Sequence, residues 1–186
     1  MKYEEYQKLR RAALGQAEAD LLLANGKLVD VFTGEIVESS IAVKDGLIIG
    51  VSRSYQAKKE VDLEGAYIAP GFIDAHLHLE STMVSPAELV GEAVKKGTTT
   101  FIVDPHEAAN VSGADGIRYI LDQTGHSPAN VFVMMPSCVP ATDLDDNGCL
   151  FSANDMYPFV GNPRVLGLGE VMDAPAVLEG DPRMFA

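Results

Sequence analysis

Residues 70–83 read PGFIDAHLHLESTM, and no other stretch of the chain is as informative about fold and function. Alternate positions within it carry ionisable side chains, namely Asp74, His76, His78 and Glu80. Successive side chains of a β-strand point to opposite faces, so a strand over residues 72–79 would place all four on one face. Two neutral imidazoles side by side suit a divalent cation, and a nearby carboxylate can orient them. The alternative is a pair of core histidines; the apolar alternation, the Pro-Gly pair and the aspartate favour the metal site.

Downstream of this strand, the pattern alternates between helices and strands. A helix is predicted over residues 86–96, with a proline at its first position and Gly97 just past its end. We predict a second helix over residues 114–123, and three more strands over residues 98–104, 131–135 and 165–171. Helices between short apolar strands indicate parallel βαβ units, and therefore an α/β fold.

Polar residues collect where these predicted strands end. They are His78 and Glu80, then Asp104, His106 and Glu107, then Ser137, and lastly Glu170. Sites in parallel α/β folds form at the carboxyl ends of strands, so these side chains are candidates for one common site. For His106, a role facing the ligand and a structural hydrogen bond are both open. Glu80 and Glu107 either orient the histidines or are simply solvated.

Residues 1–69 differ in character from the rest. Helical spacing of apolar residues predicts a helix within residues 1–19. Residues 20–69 carry short apolar runs separated by turn signals, among them Asn25-Gly26 and Asp45-Gly46, each of which predicts a hairpin. We therefore expect a small, partial β-sandwich over residues 20–69.

Composition narrows the possible classes of function. The chain has 186 residues, of which 47% are hydrophobic, enough to fill a core. Its formal net charge of -13 at pH 7 argues against nucleic acid and against an anionic membrane surface as partners, because both are bound through Lys and Arg. It has no run of about 20 apolar residues, which a membrane-spanning helix needs. Cys138 and Cys149 fit no disulfide framework and the N-terminus resembles no signal peptide, so we expect a reduced, cytoplasmic setting.

Several short motifs resemble one enzyme superfamily. Residues 69–78, APGFIDAHLH, resemble the segment with which amidohydrolases enter their barrel. Narrower motifs are HLESTM at residues 78–83, DPHE at 104–107, MPSCVPAT at 135–142 and GLGEVM at 167–172. Together they resemble the bacterial and archaeal adenine deaminases within the amidohydrolase superfamily, and the resemblance covers nearly the whole chain.

This resemblance implies an incomplete (β/α)8 barrel of the TIM type, with about four of its strands in residues 70–186. It implies that His76, His78 and Glu170 bind a divalent metal, and that Glu170 is also catalytic. Substrate-binding or orienting roles would fall to neighbouring residues, namely Asp74, Glu80, Asp104, His106, Glu107 and Ser137. Imidazole and oxygen ligands suit Mn²⁺ or Fe²⁺, with Zn²⁺ as the alternative.

The activity implied by the resemblance is the conversion of adenine and water into hypoxanthine and ammonia, in a full-length protein that forms a homo-oligomer.

Glu170 also distinguishes subclasses of the superfamily. Many amidohydrolases that open cyclic amides carry a carbamylated lysine at the fourth strand, and this chain has no lysine after Lys96. This chain therefore cannot place a carbamylated lysine at the fourth strand.

The length of the chain limits the expected activity. A barrel of this type takes about 200 to 250 residues, and fewer follow Pro70. The resemblance implies further histidines and a catalytic aspartate on later strands, which this sequence does not include. We therefore expect an N-terminal portion that is inactive as an isolated chain. Two alternatives stay open: part of an amidohydrolase that acts on another purine or a cyclic amidine, and a non-catalytic remnant or one half of a two-chain protein.

Overall fold

The N-terminal part of the chain forms one helix and a mixed sheet. A computed structural model of the protein describes residues 1–52, 54–142 and 144–185, and the chain divides into two compact units, Met1–Pro70 and Gly71–Ala186. The first unit contains helix α1 and strands β1 to β5, at Tyr3–Ala13, Ala19–Asp30, Glu35–Lys44, Leu47–Val51, Ala57–Asp62 and Tyr67–Ile68. The strands lie in the order β3-β2-β1-β4, and β5 also pairs with β1. Strand β1 is antiparallel to β2 and parallel to β4 and β5.

Helix α1 is shorter than the predicted helix because Gly15 ends it. Gly15 has a φ of 69°, the left-handed conformation that commonly closes a helix. The amide of Gln16 bonds back to the carbonyl of Arg11, which satisfies a carbonyl of the last turn. The chain then leaves the helix and enters β1 at Ala19.

One of the two predicted hairpins is present and the other is not. Asp45 and Gly46 have φ values of 49° and 77°, and they join the antiparallel strands β2 and β3 as predicted. Asn25 and Gly26 lie inside the continuous strand β1, where Asn25 has a φ of 55° and the register with β2 shifts. A Cβ at Gly26 would lie 2.5 Å from Cδ1 of Ile68, so the glycine also lets β5 approach β1. The prediction of a hairpin here was wrong, because this pair forms a bulge within one strand.

The first unit holds a buried lysine. The side chain of Lys44 is 8% exposed, and its Nζ lies 2.8 Å from Oδ1 of Asp20. Asp20 also accepts hydrogen bonds from the backbone N–H of Asp45 and from Nζ of Lys58, each at 3.0 Å. The Asp45 amide and the two ammonium groups hold the pKa of the Asp20 carboxyl well below its usual range. This carboxylate therefore compensates the charge of Lys44, which would be costly to bury alone.

The second unit is a parallel sheet with helical crossovers. Its strands β6 to β9 lie at Phe72–Leu77, Thr98–Val103, Asn130–Met135 and Val165–Leu168, and they are arranged in that order. Each neighbouring pair is parallel. Helices α2 to α6 lie at Pro86–Val94, His106–Ser112, Ala114–Gln123, Ala153–Met156 and Ala174–Glu179. This alternation confirms the predicted α/β class. Among the described residues, β6 and β9 are the edge strands of this sheet.

One apolar core joins the strands and helices of this unit. Its largest side chains are fully or almost fully buried and include Leu79, Val90, Val103, Ile117, Ile120 and Val133. Burying one such side chain contributes about 1.5–3 kcal/mol. Among the described residues, no helix combines the length and the hydropathy that would be needed to cross a membrane.

Strands β6 and β9 end two and three residues earlier than predicted, and both ends matter for the site. Strand β6 stops at Leu77, and Glu80–Thr82 form a 3-10 turn. Glu80 therefore does not continue the strand face that was predicted for it. Strand β9 stops at Leu168, so Glu170 lies in the segment that follows the strand. Helix α3 was not predicted, and it places His106 at the start of a helix directly after β7.

Candidate metal centre

Three side chains from the two edge strands of the second sheet converge at its carboxyl end. Nε2 of His76 lies 3.2 Å from Nε2 of His78, and the latter lies 3.3 Å from Oε1 of Glu170. Nε2 of His76 lies 3.7 Å from Oε2 of Glu170. His76 belongs to β6 and His78 directly follows it, whereas Glu170 follows β9. The sheet must therefore curve strongly enough to bring the ends of its first and last strands together.

The spacing of these donor atoms suits a cation. Nitrogen and oxygen ligands bind a tetrahedral metal at about 2.0–2.2 Å, which places neighbouring donors about 3.3 Å apart. The two imidazole rings are nearly perpendicular, at 86°, and an unprotonated ring nitrogen offers a lone pair. The side chains of His76 and Glu170 are 50% and 41% exposed, so further positions on a bound ion would be open to water or substrate. The three residues fit a divalent cation.

A second acidic residue, Glu107, contacts the other ring nitrogen of His78. Oε2 of Glu107 lies 3.4 Å from Nδ1 of His78, and Oε1 of Glu107 accepts a hydrogen bond from the hydroxyl of Ser81 at 2.6 Å. A carboxylate at Nδ1 favours the tautomer whose proton sits there, which leaves the lone pair of Nε2 for a metal. The orienting role of Glu107 stays a prediction, and this contact is the geometry that it requires.

Glu80 lies next to Glu107 and also bonds the backbone at the start of helix α3. Its Oε1 accepts a hydrogen bond from the backbone N–H of Ala108 at 3.1 Å. Burial raises the pKa of Glu80, whereas the pKa of Glu107 is lowered, because the hydrogen bonds of Ser81 and its neighbours outweigh the effect of burial. Glu107, the member that faces His78, is therefore the more acidic of the two.

Asp104 and His106 form a buried pair behind the three converging side chains. Asp104 is 0% exposed and His106 is 5% exposed, and Oδ1 of Asp104 lies 2.7 Å from Nδ1 of His106. Burial lowers the pKa of His106, but the Asp104 carboxylate outweighs that effect and the pKa is raised. The rings of His106 and His78 are 5.9 Å apart.

Other groups of possible ligands overlap with the first. The donor atoms of His78, Glu80 and Glu107 lie within 4.8 Å of one another, and so do those of Asp104, His106 and Glu170. In the last group Asp104 and His106 contact each other directly, at 2.7 Å, and both are buried. His76, His78 and Glu170 remain the candidate metal-binding set, with the other residues around it.

Two predicted residues contact backbone groups. Oδ1 of Asp74 accepts from the backbone N–H of His76 at 3.3 Å, so this contact holds the main chain and leaves the imidazole to other partners. The hydroxyl of Ser137 donates to the carbonyl of Glu170 at 2.6 Å. Both side chains therefore act on the chain segments that carry the proposed ligands.

A cavity of about 380 Å³ opens beside the candidate centre. His78, His106, Glu107 and Glu170 line it, together with residues that the sequence analysis missed, namely Asn110, Asp145, Asp146 and Met172. Asn110 lies in the unpredicted helix α3, and the two aspartates lie in the long connection after β8. No periodic pattern marks such connections, so only the acidic run at residues 143–146 could have drawn attention to them.

Comparison with known proteins gives consistent matches. The sequence model of the amidohydrolase family matches residues 67–175, a range that includes all three proposed ligands. The adenine deaminase of Desulfitobacterium hafniense (strain Y51) is 52% identical over 184 residues, which is 99% of this chain and 32% of that protein. Adenine deaminase 2 of Carboxydothermus hydrogenoformans is 49% identical over 177 residues, which is 95% of this chain and 31% of that protein. The chain thus spans about a third of the length of these curated relatives.

A solved structure supports the fold. The N-acyl-D-glutamate deacylase from Bordetella bronchiseptica, complexed with zinc and a phosphonate inhibitor, superimposes with a TM-score of 0.50 at 20% sequence identity. The match covers 64% of this chain and 30% of that one. Partial coverage of a larger enzyme is what an incomplete barrel predicts.

Proposed function

Because this chain belongs to the amidohydrolase family, we propose that it is part of a metal-dependent aminohydrolase that converts adenine and water into hypoxanthine and ammonia. The observation that carries the proposal is the convergence of His76, His78 and Glu170, whose donor atoms lie 3.2 to 3.7 Å apart. The choice of adenine rests on the relatives named adenine deaminase, which are 52% and 49% identical to nearly the whole chain.

The chain's own residues divide the work of such a centre. A divalent cation, for which we propose Mn²⁺ or Fe²⁺ with Zn²⁺ as the alternative, would supply Lewis acidity and lower the pKa of a bound water. His76 and His78 present their Nε2 lone pairs to one point. The Glu107 carboxylate, 3.4 Å from Nδ1 of His78, would favour the tautomer with its proton on that nitrogen and so help to orient the ring. Glu170 completes the set with a carboxylate that brings negative charge.

Glu170 is also the proposed catalytic residue. Both of its oxygens face imidazole nitrogens, at 3.3 and 3.7 Å, and the side chain lines the cavity beside the centre. A carboxylate in this position would complete the set of ligands beside the substrate, whereas the proton transfers would fall to the aspartate that the resemblance implies on a later strand. Asp74, Glu80, Asp104, His106 and Ser137 would support the ligands or the substrate from around them.

We propose that this chain has negligible deaminase activity by itself. Relatives that carry the activity in their names are about three times as long, and the residues described here provide only one side of a barrel. The full protein would be a cytoplasmic homo-oligomer. Support for the cytoplasm is the pair of free thiols, Cys138 and Cys149.

A chimaera tests the function directly. The 186 residues would replace the matching N-terminal segment of the Desulfitobacterium hafniense relative, which is 52% identical. Adenine turnover by the metal-loaded chimaera, lost in its His76→Ala and Glu170→Ala variants, is the expected result. A chimaera that folds and binds metal but turns over only another purine or a cyclic amidine would contradict the choice of adenine. Turnover by the isolated chain would contradict the proposed inactivity.

A further inference from the structure

The proposed ligand Glu170 lies outside any regular element, so something else must hold it. Strand β9 ends at Leu168, and helix α6 begins only at Ala174. The side chain of Glu170 is 41% exposed, and among the described residues its oxygens face the two histidine rings, at 3.3 and 3.7 Å. Its position must therefore be set through its backbone.

Two side chains from neighbouring strands make short hydrogen bonds to the backbone of this residue, one on each side, and the thiol of Cys138 lies farther from its carbonyl, at 3.9 Å. Oδ2 of Asp104 accepts the N–H of Glu170 at 2.9 Å. The hydroxyl of Ser137 donates to the C=O of Glu170 at 2.6 Å. Asp104 follows β7 and Ser137 follows β8, so the two strands between β6 and β9 each contribute one contact.

Asp104 is itself rigidly placed. It is fully buried, its backbone N–H donates to the carbonyl of Leu77 at 2.9 Å, and its second carboxylate oxygen faces His106. The Leu77 contact ties Asp104 to the strand end that carries the two proposed histidine ligands. A Cβ on Gly169 would lie 2.1 Å from Oδ2 of Asp104, so only a glycine allows the carboxylate to come this close to the chain.

We propose that Asp104 and Ser137 are positioning residues that clamp the backbone of Glu170 and thereby set the geometry of the metal-binding set. The inference rests on the proposed function, because it assigns these residues a role toward the same centre. A clamp of this kind explains how a carboxylate on an irregular segment keeps a fixed distance from two histidines on another strand. Loss of an outer partner that orients a metal ligand typically costs about 10- to 100-fold in metal affinity.

Ser137→Ala is the most direct test, because the serine side chain can be truncated without opening a large cavity. Co²⁺ serves as the probe, since its visible absorption reports the geometry of its ligands as well as its affinity. We expect Ser137→Ala to weaken Co²⁺ binding by the whole chain about 10-fold or more and to change the spectrum. Ser137→Thr, which keeps the hydroxyl, should restore both. Ser127→Ala is the matched control, because the Ser127 hydroxyl also bonds a backbone amide, that of Ala129 before β8.

Asp104→Asn provides a second, independent variant. It keeps the size of the side chain and removes the charge, and it should weaken Co²⁺ binding in the same direction. Co²⁺ affinities and spectra of Ser137→Ala and Asp104→Asn that match those of the unmodified chain would overturn the clamp while leaving the metal centre in place.

Amide hydrogen exchange tests the clamp without any metal. The N–H of Glu170 should exchange at least several-fold faster in Ser137→Ala and in Asp104→Asn than in the unmodified chain, with no change in Ser127→Ala. Unchanged exchange in both variants would overturn the inference. If the unmodified chain binds no Co²⁺, the three residues described here do not hold a cation by themselves, and the exchange rates still decide whether the backbone of Glu170 is clamped; the proposed function is decided separately by the chimaera.

Discussion

The Nε2 atoms of His76 and His78 face each other at 3.2 Å, although only one residue separates them in the chain. A regular strand would project both rings to one face, with their backbones about 6.6–6.8 Å apart. The register of β6 against β7 shifts between Asp74 and Leu77, and this irregularity accompanies the closer approach of the rings. Two imidazoles in this arrangement gain more from sharing a cation than from facing each other in water.

Removing either histidine should therefore abolish tight metal binding. We expect His76→Ala and His78→Ala each to lower the affinity of the chain for Mn²⁺ or Zn²⁺ by more than about 100-fold, beyond the effect of losing an outer partner. Competition with a chromogenic chelator measures the affinity. His126→Ala is the matched control, because His126 is exposed after helix α4 and lies outside the proposed centre. Equal affinities in all three variants would exclude the centre.

Glu107→Gln should have a smaller effect on the same measurement. The substitution keeps the size of the side chain but removes the charge at 3.4 Å from Nδ1 of His78, so that the tautomer with a free Nε2 loses support. We expect metal affinity to fall about 10-fold. Glu88→Gln, on the exposed side of α2, is the control. A loss as large as that of His78→Ala would instead indicate that Glu107 is itself a ligand.

The candidate site could be predicted from the sequence only in part. The histidine pair follows from a spacing of two within a strand, because neighbours in sequence remain neighbours in space. The contact of Glu170 with that pair joins the first and last strands of the sheet, and no local spacing indicates it; the expectation came from a family resemblance. The contacts of Asp104 with the backbone of Glu170 were not foreseen, because residues so far apart in the chain meet only after the sheet has curved.

Gly169→Ala should destabilise the chain, whereas Gly167→Ala should not. A Cβ at Gly169 would lie 2.1 Å from Oδ2 of the fully buried Asp104, and one at Gly167 would lie 3.8 Å from Cε of Met134, an ordinary contact. Forcing extra volume against a packed group costs about 1–3 kcal/mol. Urea denaturation followed by circular dichroism measures the difference. Equal free energies of unfolding for the two variants would show that the segment at Gly169 can move away from Asp104.

The fold was easier to predict than the site, and its errors have local causes. The strands of the second unit were placed correctly because short apolar runs alternate with helical segments. The hairpin at Asn25-Gly26 was wrong, because a left-handed asparagine permits a bulge as well as a turn, and the packing of Ile68 against Gly26 decides between them. Helix α3 was missed, because its residues carry no apolar periodicity over its short length.

The stability of the first unit should fall in acid because of Asp20. Its pKa is lowered by the amide of Asp45 and by the ammonium groups of Lys44 and Lys58, so the unfolded chain binds a proton at Asp20 more readily than the folded one. The contribution of the Asp20 carboxylate to the free energy of unfolding is therefore present above the usual pKa of 3.8 and decreases as the pH falls below it.

Asp20→Asn should lower the melting temperature at pH 7, because it leaves Lys44 buried without its partner. It should also flatten the dependence of the melting temperature on pH between about 2 and 5. Thermal unfolding across this range measures both effects, with Asp30→Asn as the control, since the Asp30 carboxylate accepts hydrogen bonds from the backbone amides of Phe32 and Thr33 in its own turn. A melting temperature of Asp20→Asn that fell with acid as steeply as that of the unmodified chain would assign the acid sensitivity to other carboxyl groups.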